Sequence, residues 1–108
     1  MKNLEQKCPI EHSVELLSGK WKLPIIQALV AKSPMRFSEL ERAIHNVTPA
    51  MLTAHLRELE TELIINRKVY PTVPPTVEYS LTEIGTAMRA MIIELEKWGL
   101  LHQQLKSQ

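Results

Sequence analysis

The stretch from Thr48 to Leu63, TPAMLTAHLRELETEL, constrains this chain most. A threonine side chain caps orphan N–H groups, and a proline at the first helical position gives up an N–H that had no partner. Thr48 followed by Pro49 therefore marks the start of a helix. Leu52, Leu56, Leu59 and Leu63 recur at spacings of four, three and four, which sets all of them on one narrow face, expected to be buried. The opposite face carries Ala50, Thr53, Ala54, Arg57 and Thr61, short side chains around one arginine, so the backbone on that side can approach another surface closely. Arginine forks to guanine or phosphate, a threonine hydroxyl donates or accepts, and alanine or threonine methyls suit the methyl of thymine. An ordinary amphipathic core helix with a small-residue solvent face shows the same pattern, so the neighbouring segments must discriminate.

A length of 108 residues gives one domain with a modest core, and domains of this size often complete their burial by pairing. With 44% hydrophobic and 23% charged residues the chain reads as globular. Its formal net charge of +1 is low for a nucleic-acid module, so any DNA contact has to rest on locally clustered cations. No apolar run reaches the roughly 18 residues of a membrane span, and the N-terminus lacks the apolar core of a signal peptide; a cytoplasmic location is expected. A single cysteine, Cys8, excludes an internal disulfide, and the histidines His12, His45, His55 and His102 are too dispersed for a metal site. No nucleophile–base–orienter set, phosphate loop or metal motif is present, which argues against an enzyme and against a cofactor.

Along the chain, Ile10, Val14 and Leu17 mark a short amphipathic helix that Gly19 ends. In KWKLPIIQALVAK the apolar residues spread over most of the circumference, the mark of a central core helix. Pro24 fits it only in the first turn, which puts the start near Lys20 to Leu23. Ser33-Pro34 breaks that helix, Met35 to Phe37 is a short extended piece, and Ser38 with Glu41 forms an S-x-x-E capping box opening a helix through Ile44. His45, Asn46 and Val47 make a tight turn into the Thr48 helix, the spacing of a helix-turn-helix. IINRKVY and VEYSL, joined by the proline-rich PTVPPT, read as a two-stranded wing. Thr82 then caps a helix from Glu83 to about Leu105, about 35 Å long, whose stripe includes Ile84, Met88, Met91, Ile92, Leu95, Trp98 and Leu101. That stripe exceeds what one small core needs. Ile10, Met88, Met91, Ile92, Leu95 and Trp98 are the candidate dimer interface. The expected fold is thus mainly α with a small β-hairpin wing: a winged helix-turn-helix spanning residues 1–108 with terminal dimerisation helices.

The stretches CPIEHSVELLSGKWKLPII, RFSELERAI, MLTAHLRELE and VYPTVPPTVEYSLTEIG, in this order and spacing, resemble the HxlR-type bacterial transcriptional regulators, a winged-helix group close to the MarR regulators. The resemblance runs from Cys8 to Gly99. It implies a homodimer whose two recognition helices read an inverted-repeat operator, with regulation through a cysteine at the position of Cys8 or through small molecules near the dimer interface. The chain departs from the family pattern in lacking a glycine after the recognition helix, where Thr61-Glu62-Leu63-Ile64 stands, so this helix is expected to run slightly further. Pro24 is unusual for the family, and the wing tip has Thr72 and Thr76 where charged residues are common.

The DNA-reading candidates are Ala50, Thr53, Ala54 and Arg57, with Thr48 and Met51 at the helix N-terminus, where free backbone N–H groups meet phosphate. Arg57 has a bland alternative, a surface ion pair with Glu58 or Glu60. Arg36, Lys68, Lys20, Lys22 and Arg67 supply further cations, some for phosphates and some merely solvated. Cys8 is a redox-sensing candidate, since Lys7 beside it and His12 one helical turn on favour a thiolate; a small inert thiol is the plainer reading. Two function classes follow: a sequence-specific DNA-binding regulator, or a winged-helix protein-interaction module that does not touch DNA.

Overall fold

The computed structural model describes residues 8–108, and its core is built around two helices whose buried faces meet a small sheet. Helix α1 (Pro9–Leu17) starts with Pro9 in its first turn and buries no residue; Ile10 and Val14 remain 73% and 63% exposed. Helix α2 (Lys22–Ala31) drives Ile25, Ile26 and Leu29 into the core, and Trp21 is buried at its N-cap. Pro24 does fall in the first turn, where its missing N–H costs no helical bond.

After the break, strand β1 (Met35–Arg36) leads directly into helix α3 (Phe37–Ala43). The helix therefore begins before Ser38, and the expected Ser38–Glu41 box is not the one used. Glu39 accepts a hydrogen bond from the Arg36 backbone N–H at 2.9 Å, the acidic half of a box shifted two residues earlier. Arg36 is the last residue of β1 paired to its neighbour strand, so the chain is free to turn at Phe37. That backbone bond first, and the Lys32 ammonium 3.0 Å away second, hold the Glu39 carboxyl below the usual carboxylate range.

Helix α4 (Pro49–Thr61) is capped as its sequence demands: the Thr48 hydroxyl accepts from Met51 N–H at 3.2 Å. Leu52, Leu56 and Leu59 are all at most 1% exposed. Leu63, expected on the same face, is 71% exposed because the helix has already ended. Leu63 N–H donates to Glu60 O at 3.0 Å and Ile64 N–H to Leu59 O at 2.9 Å, the paired bonds of a Schellman turn. Such a turn needs a left-handed residue between them, and Leu63 takes it with φ +65° in place of the missing glycine. The helix is therefore not extended. The apolar clasp of the turn, Leu59 with Ile64, is buried and holds a leucine in a conformation it disfavours.

Strands β2 (Ile65–Tyr70) and β3 (Thr76–Leu81) pair antiparallel from Ile65↔Leu81 to Tyr70↔Thr76, giving the expected wing. β1 adds to the other edge of β3 through Met35↔Tyr79 and Arg36↔Glu78, so the sheet has three strands in the order β1-β3-β2. The single long C-terminal helix expected from Glu83 is two: α5 (Glu83–Thr86) and α6 (Arg89–Lys106). Thr82 caps α5, accepting from Gly85 N–H at 3.1 Å, and its own N–H donates to Ile64 O at 3.0 Å. Gly85 lies so close to Ile64 that a Cβ would collide with the Ile64 carbonyl oxygen. This close seat fixes α5 against the exit of α4. At Met88, whose N–H bonds to Gly85 O three residues back, the turn tightens before α6 restarts.

Two outcomes follow for stability. Leu63→Gly is expected to raise it by about 0.5–1 kcal/mol, the left-handed strain relieved less the added chain entropy of glycine. Gly85→Ala is expected to lower it by about 2 kcal/mol, since the obstructing atom is backbone that already accepts from Thr82. Urea unfolding midpoints of the two variants against the parent chain check both signs.

Candidate nucleic-acid interface

The three buried leucines set the roll of α4 about its axis, and that roll decides what faces solvent. Ala50, Met51, Ala54, Arg57 and Thr61 are exposed, and Thr53 is half-buried at the edge of the same face. In the first turn Pro49 has no N–H, Met51 N–H is taken by Thr48 Oγ1, and Leu52 N–H by Thr48 O. Ala50 N–H is left without a partner among the described residues, a donor at the positive end of the helix dipole. The turn before it, Ile44 to Val47, buries Ile44 and places Asn46 at φ +69°, a conformation asparagine tolerates better than most residues. α3, this turn and α4 thus present one small-residue face with an orphan N–H at its leading end.

Arg57 is exposed on that face and has no hydrogen-bond or ion-pair partner among the described residues. The two carboxylates expected to occupy it are engaged elsewhere: Glu58 Oε2 receives Lys22 Nζ at 2.8 Å, and Glu60 Oε1 lies 3.7 Å from Arg67 Nε. The Lys22 bond, more than any other contact, holds the Glu58 carboxyl below its usual value. Arg36 is exposed where β1 meets α3, and Lys68 on β2 stands over the Tyr70 ring at 4.9 Å. Lys20 likewise stands over Trp21 at 5.0 Å. Lys22 is a different case from the solvated cations, because its side chain is only 12% exposed and its donors point inward. At the wing tip Thr72 Oγ1 donates to Pro74 O at 2.7 Å and lies 2.9 Å from Thr76 Oγ1, so these threonines brace the loop. Val73 between them is fully exposed.

Cys8 is exposed at the N-cap of α1, its carbonyl accepting from His12 N–H at 2.9 Å; Lys7, the other residue expected to favour its thiolate, lies outside the described residues. No group of three or more His, Cys, Asp or Glu side chains gathers at metal-binding distance among the described residues. Of the residues expected at a dimer interface, Ile10, Met91, Leu95 and Trp98 are exposed. Ile92 is only 6% exposed and belongs to the core of the protomer, and Met88, at the N-cap of α6, is half-buried against the same core, so the start of this helix is still held by the protomer. Further along, α6 has left the core behind. Leu101 and Leu105 continue the exposed stripe, and Trp98 stacks on His102 with ring centroids 5.4 Å apart. Ile93 and Leu100, outside the stripe expected from the sequence, line an open cleft of about 630 Å³ with Leu23 and Gln27 of α2. Among the described residues no helix is long and apolar enough to cross a membrane.

Known proteins carry the same arrangement. The family model for the HxlR-like helix-turn-helix matches residues 16–107. The chain is 42% identical over 103 residues to BH0655, an uncharacterised HTH-type transcriptional regulator of Halalkalibacterium halodurans, covering 95% of this chain and 90% of that one. Among solved structures, the redox regulator HypR in its reduced form superposes with a TM-score of 0.85 at 37% identity, over 94% of this chain and all of that one. Reduced YodB, a transcriptional regulator of Bacillus subtilis, superposes with a TM-score of 0.75 at 38% identity, over 86% and 91% of the two chains. With a capped second helix of the helix-turn-helix, a paired wing and a match across nearly its whole length, the chain belongs to the HxlR-like helix-turn-helix family of transcriptional regulators.

Proposed function

We propose that two copies of this chain form a dimer that binds an inverted-repeat operator, each inserting α4 into the major groove. The observation that carries this reading is the outward face of α4: Ala50, Thr53, Ala54 and an Arg57 with no partner among the described residues, held outward by Leu52, Leu56 and Leu59. Small side chains let the helix backbone approach the base edges, and a free guanidinium is available to fork onto a guanine. Thr48 and the orphan Ala50 N–H meet phosphate at the helix start, with Met51 exposed beside them and its N–H held by Thr48, and the exposed cations Arg36 and Lys68 on the sheet supply further phosphate contacts. The exposed stripes of α1 and α6, from Ile10 and from Met91, Leu95 and Trp98, are the surfaces the two copies bury against each other. The site of action is the cytoplasm, where the DNA is.

Cys8 is the redox-responsive position in this reading. It is exposed, it stands at a helix N-cap, and among the similar structures are a protein described as a redox regulator and YodB in diamide-treated form. With no second cysteine in the chain, oxidation proceeds through an intersubunit disulfide, a mixed disulfide or an adduct. The net charge of only +1 favours the competing reading, a module that binds protein rather than DNA.

The two readings part in a salt titration on duplex DNA: operator binding falls linearly in log affinity with log salt, and a flat response supports the protein-binding module. Arg57→Ala is expected to weaken operator binding by about 1–3 kcal/mol, and unchanged affinity removes Arg57 from the reading face. Diamide is expected to abolish operator binding by the parent chain and to leave Cys8→Ser unaffected; an equal response from both retires the cysteine.

A further inference from the structure

Lys22 stands where local electrostatics argue against it. It is the first residue of α2, at the positive end of the helix dipole, and α2 has no acidic residue in its first turn to offset it. A residue that breaks a local rule is held by partners elsewhere in the fold. Lys22 Nζ donates to Glu58 Oε2 on α4 at 2.8 Å and to Leu16 O, in the last turn of α1, at 3.2 Å. α1 has no basic residue in its own last turn, so this ammonium supplies the cation that the C-terminal carbonyls of α1 favour. One nitrogen, on a side chain 12% exposed, ties α1, α2 and α4 together.

The attachment matters because α1 buries no residue of its own. Among the described residues of α1, Leu16 and Leu17 are the ones that pack partly against the core, and the Lys22–Leu16 O bond adds a directed, charge-assisted contact to them. Such a bond fixes a distance and a direction between the groups it joins. Glu58 and Arg57 are consecutive residues of α4, so a rotation of the helix that follows Glu58 turns Arg57 with it. His55 Nδ1, buried and without a hydrogen-bond partner, lies 3.9 Å from the same Glu58 oxygen and closes the space beside it.

We propose that Lys22 is a positioning residue that couples the orientation of α1 to that of α4. Whatever loads the exposed stripe of α1 thereby sets where Arg57 points. In the dimer read above, on which this step rests, the load is the second copy, and Lys22 determines which half-site spacing the two reading faces accept.

The coupling is read first without DNA, by hydrogen exchange on the whole protein. Lys22→Met, which keeps the apolar stem, and Glu58→Gln are each expected to speed exchange about tenfold in the last turn of α1 and the middle of α4 together. The double variant is expected to add nothing further, β2 and β3 to be unchanged, and Lys22→Arg to restore most of the protection. Faster exchange in α1 alone, or additive single variants, overturns the coupling. On DNA, Lys22→Met is expected to bind an isolated half-site like the parent chain. It should lose about tenfold in its preference for the best half-site spacing over spacings changed by one or two base pairs. Unchanged spacing preference in a folded Lys22→Met protein overturns the role in operator choice. A parent chain that binds no duplex at all removes the DNA reading instead, and the exchange data then decide the coupling alone.

Discussion

The burial of Leu52, Leu56 and Leu59 against α2 and the sheet is the interaction on which the rest depends. Each fully buried leucine contributes about 1.5–3 kcal/mol. Their common face also fixes the roll of α4, which a single buried contact would leave loose. Everything exposed on that helix is exposed because these three are not.

The exit of α4 is secured by a second, more local device. Leu63 accepts a left-handed conformation, Ile64 closes the turn against Leu59, and Ile64 O receives the Thr82 N–H across the sheet edge. Gly85 permits that approach. The segment Ser80-Leu81-Thr82 with Gly85, one of the stretches that carries the family resemblance, therefore has a mechanical meaning. The threonine caps α5 and anchors it to the end of α4, and the glycine clears the space. The wing follows from the same junction, since β2 starts at Ile65, immediately beyond it.

What was legible in the sequence was what short-range rules govern. The Thr48-Pro49 start, the leucine spacing, the wing strands and the Pro24 placement all rest on caps, periods and φ restrictions within a few residues. The misses are tertiary. Leucine is a poor left-handed residue, so nothing local announces Leu63 as the turn; only the buried Leu59–Ile64 clasp requires it. The run from Glu83 to Leu105 keeps a helical period throughout, and the break near Met88 comes from Gly85 docking on Ile64. Met35 to Phe37 was legible as an extended piece, but not its pairing with β3, since a two-residue strand has no period that says what it joins. Ile92 and Leu95 share one apolar stripe, yet one faces the core and the other solvent, a division that depends on where α6 leaves the protomer. For the site, the residue types of the reading face were legible. That Arg57 has no partner among the described residues was not, because it follows from Lys22 and Arg67 taking the neighbouring carboxylates.

The central claim is that α4 reads base edges in the major groove from two symmetry-related positions. Methylation interference at guanine N7, an atom that lies only in the major groove, tests this most directly on a duplex selected from a random pool by the parent chain. The account predicts interference in two inverted segments whose centres lie about 34 Å apart, one helical turn, on one side of the duplex. Indifference to N7 methylation throughout the selected duplex, or interference confined to one unsymmetrical segment, would contradict it.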